Sequence, residues 1–246
     1  MKPTQSGGRG SGSCAIGILI KAPRIGFSKT RLCPPLQPPD CKALSRCFIQ
    51  DTAENVSTIA LAREDIAVYT PVGSEPDVQQ LLPSNFFLIP QRGESLGDRL
   101  FHAAQDLFQR GFDSVCLLGS DSPTLPPSYL GQMVELLSHS NDCVVMGPTH
   151  DGGYYAIGLK NPCRRLFEDI EWSTDRVLKQ TKARIAELAP PQMTLPVWYD
   201  VDDGAALERL IADLSGGHSS PRSSLAYSAA HTRRLLNSVL LRKGRI

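Results

Sequence analysis

Ala15-Ile16-Gly17-Ile18-Leu19-Ile20 runs directly into Lys21-Ala22-Pro23-Arg24-Ile25-Gly26-Phe27-Ser28-Lys29-Thr30-Arg31-Leu32. The first six residues are apolar, β-branched at every second position and without polar alternation, as in a strand buried on both faces. The loop that follows puts Lys21, Arg24, Lys29 and Arg31 around Gly26. Arginine presents a fork and lysine a point charge, a pairing that suits a polyphosphate. Gly26 allows close backbone approach to a ligand. The plain alternative is a solvated basic loop. A phosphate loop of the G-x-x-x-x-G-K-[ST] type and a dinucleotide glycine fingerprint are both absent here.

Working outward, the chain alternates short apolar runs with helical stretches. Strands are expected at 15–20, 65–70, 86–89, 114–118, 143–147, 154–159 and 194–201. Helices are expected at 41–62, 75–82, 95–110, 128–138, 173–188, opened by a Ser173 cap, and 205–214. This alternation predicts an α/β protein with a Rossmann-like, mostly parallel sheet and helices on both faces. Ligands in such sheets bind beyond the carboxyl ends of the strands, so the loops after residues 20, 118 and 147, and the region of Asp200, are where chemistry is expected.

The 246 residues are 41% hydrophobic and 21% charged, values that suit one large globular domain. A net charge of +1 provides no global field for nucleic acid, and no apolar run is long enough to span a membrane. The seven cysteines include no C-x-x-C pair and no Cys/His cluster with zinc spacing, which fits reduced thiols in the cytoplasm. Three segments are expected: a Gly/Ser-rich disordered leader at 1–13, the nucleotide-binding domain at 14–214, and a basic C-terminal extension at 215–246 that carries no acid. The extension is expected to be dispensable, although residues 228–241 form a candidate docking helix through Leu235, Leu236, Val239 and Leu240.

Three further loops carry candidate chemistry. In Gly119-Ser120-Asp121-Ser122-Pro123-Thr124-Leu125-Pro126, Asp121 stands at a strand end, where one carboxylate beside a phosphate-binding loop suits Mg²⁺; a turn or cap is the alternative. In His150-Asp151-Gly152-Gly153-Tyr154-Tyr155, Asp151 is a candidate for a hydroxyl, amine or water, and Asp-Gly equally marks a hairpin turn. In Tyr199-Asp200-Val201-Asp202-Asp203-Gly204, Asp200 and Asp202 would share one face of a strand, one of them meeting the metal of Asp121, while Asp202 or Asp203 caps the next helix. Trp172, in Glu171-Trp172-Ser173-Thr174, either packs or flanks an acceptor pocket.

Taken in order, these segments resemble a bacterial family of predicted glycosyltransferases that is similar to 2-phospho-lactate guanylyltransferase and, more distantly, to molybdenum-cofactor guanylyltransferase. The matching motifs are K-A-P-x-x-G-x-x-K-T-R-L at 21–32, G-S-D-S-P-T-L-P at 119–126, D-G-G-Y-Y-x-I-G-L at 151–159, L-F-x-x-I-x-W-S-T at 166–174 and D-V-D at 200–202. The resemblance covers roughly residues 15–214 and implies the A-type glycosyltransferase, or nucleotide-diphospho-sugar transferase, fold. It places the nucleotide on the loop after the first strand and the metal on the aspartate after the fourth. Two departures stand out. The usual D-x-D is reduced to Ser120-Asp121-Ser122, and Tyr154-Tyr155 differs from the guanylyltransferase loop, which implies a different acceptor.

The expected activity is that of a metal-dependent transferase using a nucleotide-activated donor. Nucleotidyl transfer to a small phosphorylated or acidic acceptor leads on mechanism; glycosyl transfer from a sugar nucleotide is the alternative that matches the family label. A non-catalytic nucleotide-binding partner protein is the alternative of another class. Lys29 and Asp121 are the expected catalytic residues. Lys21, Ala22, Pro23, Arg24, Gly26, Lys29, Thr30 and Arg31 are expected to bind the nucleotide, and Asp121 and Asp202 the metal, Mg²⁺ or Mn²⁺. Asp151, Gly152, Gly153, Tyr154, Trp172 and Ser173 are expected to bind a small-molecule acceptor.

Overall fold

The structure, a computed structural model, describes residues 13–59, 64–216 and 225–242. In chain order the elements are β1 (Cys14–Lys21), α1 (Pro38–Ser57), β2 (Glu64–Thr70), α2 (Glu75–Gln79), β3 (Phe87–Pro90), α3 (Leu96–Gln109), β4 (Ser114–Gly119), α4 (Pro127–His139), β5 (Val144–Pro148), β6 (Tyr154–Leu159), α5 (Val177–Leu188), β7 (Gln192–Thr194), α6 (Gly204–Leu214) and α7 (Ala230–Arg242). The seven strands form one sheet in the order β3-β2-β1-β4-β6-β5-β7. All neighbouring pairs are parallel except those of β6, which runs antiparallel to both β4 and β5.

The period of the central strand divides the core. Ile16, Ile18 and Ile20 face the cluster that contains Leu44 and Phe48 of α1, Met133 of α4, Leu210 of α6 and Leu236 of α7. Ala15 faces the cluster built on Leu100, Ala103, Ala104 and Leu107 of α3 and Ile185 of α5. Each fully buried isoleucine contributes roughly 1.5–3 kcal/mol of transfer free energy, so a strand apolar on both faces is stable only at the centre of a sheet covered twice. Helix α3 starts on a capping box: Ser95 Oγ accepts from the Asp98 backbone while the Asp98 carboxylate takes the Ser95 N–H. Helix α1 starts at Pro38, three residues before the expected start, because prolines at its first positions lose no hydrogen bond.

The helices expected at 41–62 and 75–82 end early, at Ser57 and Gln79, and two further elements differ more. The last strand is not 194–201 but Gln192–Thr194, followed by a single bridge between Thr149 and Trp198. Pro196 has no N–H for the ladder and restricts the residue before it, so the strand cannot run on. Ser173 does not cap α5. It sits at φ 65° in an irregular loop, and the helix begins at Val177.

The expected leader lies outside the described residues except for Ser13, which is buried and donates from its backbone and its hydroxyl to Asp113. The expected C-terminal extension supplies α7, which packs on α1 and buries Thr232, Leu236 and Val239. The cysteines among the described residues are all free, and Cys116 and Cys143 are buried. No helix among the described residues is long and apolar enough to cross a membrane.

Candidate active site

A crevice of about 560 Å³ opens beyond the carboxyl ends of β1 and β4. Lys21, Arg31 and Arg99, the carboxylates Asp121, Asp200 and Asp202, and the aromatic Tyr154 and Trp172 line it. A smaller cavity of about 340 Å³ adjoins it, lined by Phe27, Ser28, Lys29 and Thr30 and sharing Lys21, Arg31, Asp121 and Asp202 with the larger one.

Lys29 lies at the junction. Its ammonium is 2.6 Å from Asp121 Oδ1, 2.9 Å from Asp202 Oδ1 and 3.0 Å from the Val201 carbonyl. Its side chain is only 7% exposed, against 45% for Asp121 and 47% for Asp202. Burial alone would lower the Lys29 pKa. The charges of Asp121 and Asp202, with the bonds they accept, outweigh burial and hold it above its ordinary value. Asp202 arrives here without a strand: Val201 N donates to the Asp121 carbonyl at 2.9 Å and pins the segment against the loop after β4. Asp203 takes the cap of α6 by accepting from Ala206 N at 2.8 Å, which leaves Asp202 for the crevice.

Asp200 lies beneath them and accepts from Ser122 Oγ at 2.6 Å. Burial pushes its carboxyl up to about 7, the Ser122 bond offsets part of that, and the nearby Asp121, Asp151 and Asp202 add to it. Tyr199 OH donates to Asp213 at 2.8 Å and accepts from Thr124, tying the loop after β4 to α6. The backbone of that loop is held twice more, by Asn55 Nδ2 on the Leu125 carbonyl and Tyr227 N on the Thr124 carbonyl.

The other expected nucleotide residues divide. Lys21, Thr30 and Arg31 line the cavities. Ala22 and Pro23 are buried, Arg24 and Gly26 are exposed on a tight turn, and none of these four lines either cavity. That turn is closed by Phe27 N and Ser28 N on the Arg24 carbonyl and by Arg24 N on Ser28 Oγ, with Gly26 at φ 77°. Gly26 thus makes the turn rather than a backbone approach to the crevice.

Of the expected acceptor residues, Asp151, Gly153, Tyr154, Trp172 and Ser173 line the large crevice, and Gly152 does not. Asp151 closes the β5–β6 hairpin turn, accepting from the Thr149 hydroxyl and from Gly153 N. Gly152, at φ 87°, packs so tightly on the following loop that a Cβ there would lie 2.1 Å from the Asp175 carbonyl. Trp172 meets Tyr154 edge to face at 6.5 Å and also borders a separate cavity of about 580 Å³ that includes Phe101 and Arg164.

Gln91 and Arg99 also line the crevice, and neither is among the expected site residues. Gln91 donates to the Val68 and Ile20 carbonyls and so ties the ends of β2 and β1 at the crevice. It follows a strand at its carboxyl end, the signal that could have marked it. Arg99 sits among polar residues of an amphipathic helix, where nothing in the sequence distinguishes it.

The fit of a divalent metal is tested by the cation already present. Mg²⁺ takes oxygen ligands, one or two of them carboxylates, and keeps several waters. Asp121 and Asp202 converge on one positive charge, the Lys29 ammonium, and both reach solvent, so the pair suits such an ion. Among the described residues, three ligand-type side chains within 4.8 Å of one another occur instead at Asp51, Glu54 and His231. These fasten α7 to α1: the Asp51 carboxylate accepts from His231 N and Thr232 N, and His231 Nε2 lies 2.8 Å from Glu54.

A family model described as an uncharacterized protein conserved in bacteria (DUF2064) matches residues 52–174. No curated protein matches the chain in sequence. Among solved structures, a protein of Desulfovibrio desulfuricans G20, named for an expected nucleotide-diphospho-sugar transferase activity, is 30% identical with a TM-score of 0.78, covering 94% of this chain and 97% of that one. A nucleotidyl transferase from Methanothermobacter thermautotroptrophicus is 15% identical with a TM-score of 0.55, covering 80% and 95%. A CMP:2-keto-3-deoxy-manno-octonic acid synthetase complexed with CTP is 13% identical with a TM-score of 0.53, covering 84% and 100%. The last two share the fold, which is that of nucleotide-diphospho-sugar transferases and nucleotidyltransferases.

Proposed function

The chain belongs to the DUF2064 family of bacterial proteins, and from that membership and the geometry of the crevice we propose that it is a metal-dependent transferase acting on a nucleotide donor. The favoured reaction is nucleotidyl transfer to a small phosphorylated or acidic acceptor. One observation carries this reading. Asp121 and Asp202 converge on a single cation in a crevice also lined by Lys21, Arg31 and Arg99. Carboxylates paired on a cation, beside cations that have no carboxylate partner among the described residues, are what a metal–polyphosphate substrate needs.

In this reading an acceptor oxygen attacks the α-phosphorus of a nucleoside triphosphate. The new P–O bond forms as the bond to the bridging oxygen breaks, and pyrophosphate leaves. Lys21 and Arg31 neutralise the charge that develops on the leaving group, the preorganised electrostatics on which phosphoryl transfer depends. A divalent ion held by Asp121 and Asp202 would add charge neutralisation at the phosphates. Asp151, Tyr154, Trp172 and Ser173, which line the same crevice, orient the acceptor. The likeness of Lys29-Thr30-Arg31-Leu32 to the guanylyltransferase loop supports nucleotidyl transfer and makes guanine nucleotides the first to try. The setting is the cytoplasm, where nucleoside triphosphates and reduced thiols coexist.

Sugar transfer from a sugar nucleotide is the second reading. It is favoured by the aromatic side chains of Trp172 and Tyr154, whose apolar faces suit a sugar ring. A pyrophosphate-release assay over the four triphosphates with pooled phosphorylated acids, run beside a sugar-nucleotide consumption assay, separates the two. Pyrophosphate from one triphosphate is expected. Consumption of a sugar nucleotide with no pyrophosphate from any triphosphate would reverse the order.

A further inference from the structure

Lys29 has no hydrogen left for a phosphate. A lysine ammonium carries three donors, and here they meet Asp121 Oδ1, Asp202 Oδ1 and the Val201 carbonyl. The side chain is also braced over the Phe48 ring at 5.3 Å, and its backbone holds the left-handed conformation that few residues other than glycine adopt. Such a placement occupies one oxygen of each carboxylate and sets a positive charge where a divalent ion would sit. We propose that Lys29 is a placeholder cation: it holds the two metal carboxylates until a nucleotide arrives, so that metal and nucleotide bind together rather than metal first. This rests on the reading of Asp121 and Asp202 as the metal ligands.

A divalent ion entering between Asp121 and Asp202 meets a buried ammonium bonded to both, and the two like charges cannot share those oxygens at close range. The ammonium therefore opposes metal binding for as long as it stays. The smaller cavity, lined by Lys29 itself with Ser28, Thr30 and Arg31, offers an alternative site where phosphate oxygens would accept its hydrogens. A phosphate that draws Lys29 away frees both carboxylates, and by reciprocity a metal that takes the carboxylates frees Lys29 for the phosphate. The two carboxylates thus stay on Lys29 without ligand and become metal-competent only with the substrate.

The test is a direct Mn²⁺ titration, by calorimetry or water-proton relaxation, of the full chain without nucleotide. Lys29→Met is expected to bind Mn²⁺ at least about tenfold more tightly than the wild type, and about 1 mM Mn²⁺ is expected to raise its melting temperature while moving the wild type little. Lys21→Met is the control. It removes an equal charge from the same crevice without touching the carboxylates, and is expected to leave Mn²⁺ affinity near wild type. Equal affinity in wild type and Lys29→Met, or an equal gain in Lys21→Met, overturns the placeholder role and leaves the metal reading standing. Should Lys29→Met fail to fold, micromolar Mn²⁺ binding by the nucleotide-free wild type overturns the role, and its absence there together with Mn²⁺ binding to the nucleotide-bound Asp121/Asp202 pair supports it. No Mn²⁺ binding by either protein, with wild-type turnover indifferent to chelation, overturns the metal reading itself.

Discussion

Asp121 is half exposed, bonded to Lys29 through one oxygen, and supported from behind by the Val201 N–H on its backbone carbonyl. Asp121→Asn keeps the shape and removes the charge, so turnover with Mg²⁺ is expected to fall at least about a hundredfold, the scale of losing one preorganised electrostatic contact. Far-UV circular dichroism and the melting temperature should barely change; normal turnover would make the residue structural. Gly152→Ala makes the opposite prediction. It puts a Cβ 2.1 Å from the Asp175 carbonyl at φ 87°, so stability should fall by about 1–3 kcal/mol in a urea titration. An unchanged midpoint would mean that the hairpin yields freely. At this scale the sequence shows residue types but not partners. Asp121 is legible because it ends a buried strand. Lys29 reads as a phosphate cation because its partner Asp202 lies 173 residues away. Whether Asp202 or Asp203 caps α6 is decided only by the fold, since both suit the cap chemically.

Helix α7 shows what a charge count cannot tell at the scale of elements. The 215–246 segment, rich in cations and free of acids, reads as separable. Yet Leu236 and Val239 are each 3% exposed, and the start of α7 supplies the N–H donors on which the buried Asp51 depends. Leu236→Ala is therefore expected to cost about 2–5 kcal/mol. Deletion after residue 216 should cost more, because it also strips Asp51 of its partners. Thermal melts of both variants check this, and a truncated protein that melts with the wild type would restore the separable reading. The acids that balance the helix, Asp40, Asp51 and Glu54, all lie on α1, distant in sequence, so charge does not show the docking that the apolar spacing of Leu235, Leu236, Val239 and Leu240 marks. The start of α5 and the end of β7 were hidden for a local reason: Ser173 and Pro196 act through backbone conformations that residue type only suggests.

At the scale of the whole molecule, the alternation of strands and helices was enough to read a doubly covered sheet and to point to the carboxyl ends of β1 and β4. The Asp151-Gly152 signal also marked the hairpin that reverses β6. Strand order was not legible, because it is set by which faces bury against α1 and α3 rather than by any local pattern. That order brings Arg99 and Gln91 to the crevice from the far side of β1. The central claim, that this crevice holds a nucleotide with a divalent metal, is tested most directly by thermal shift of wild type and Asp121→Asn against nucleoside triphosphates and sugar nucleotides, with and without Mg²⁺. One nucleotide class with Mg²⁺ is expected to stabilise the wild type by about 2.7 kcal/mol at a hundredfold excess over Kd, and Asp121→Asn far less. No shift with any nucleotide, or an equal shift in Asp121→Asn, would contradict it.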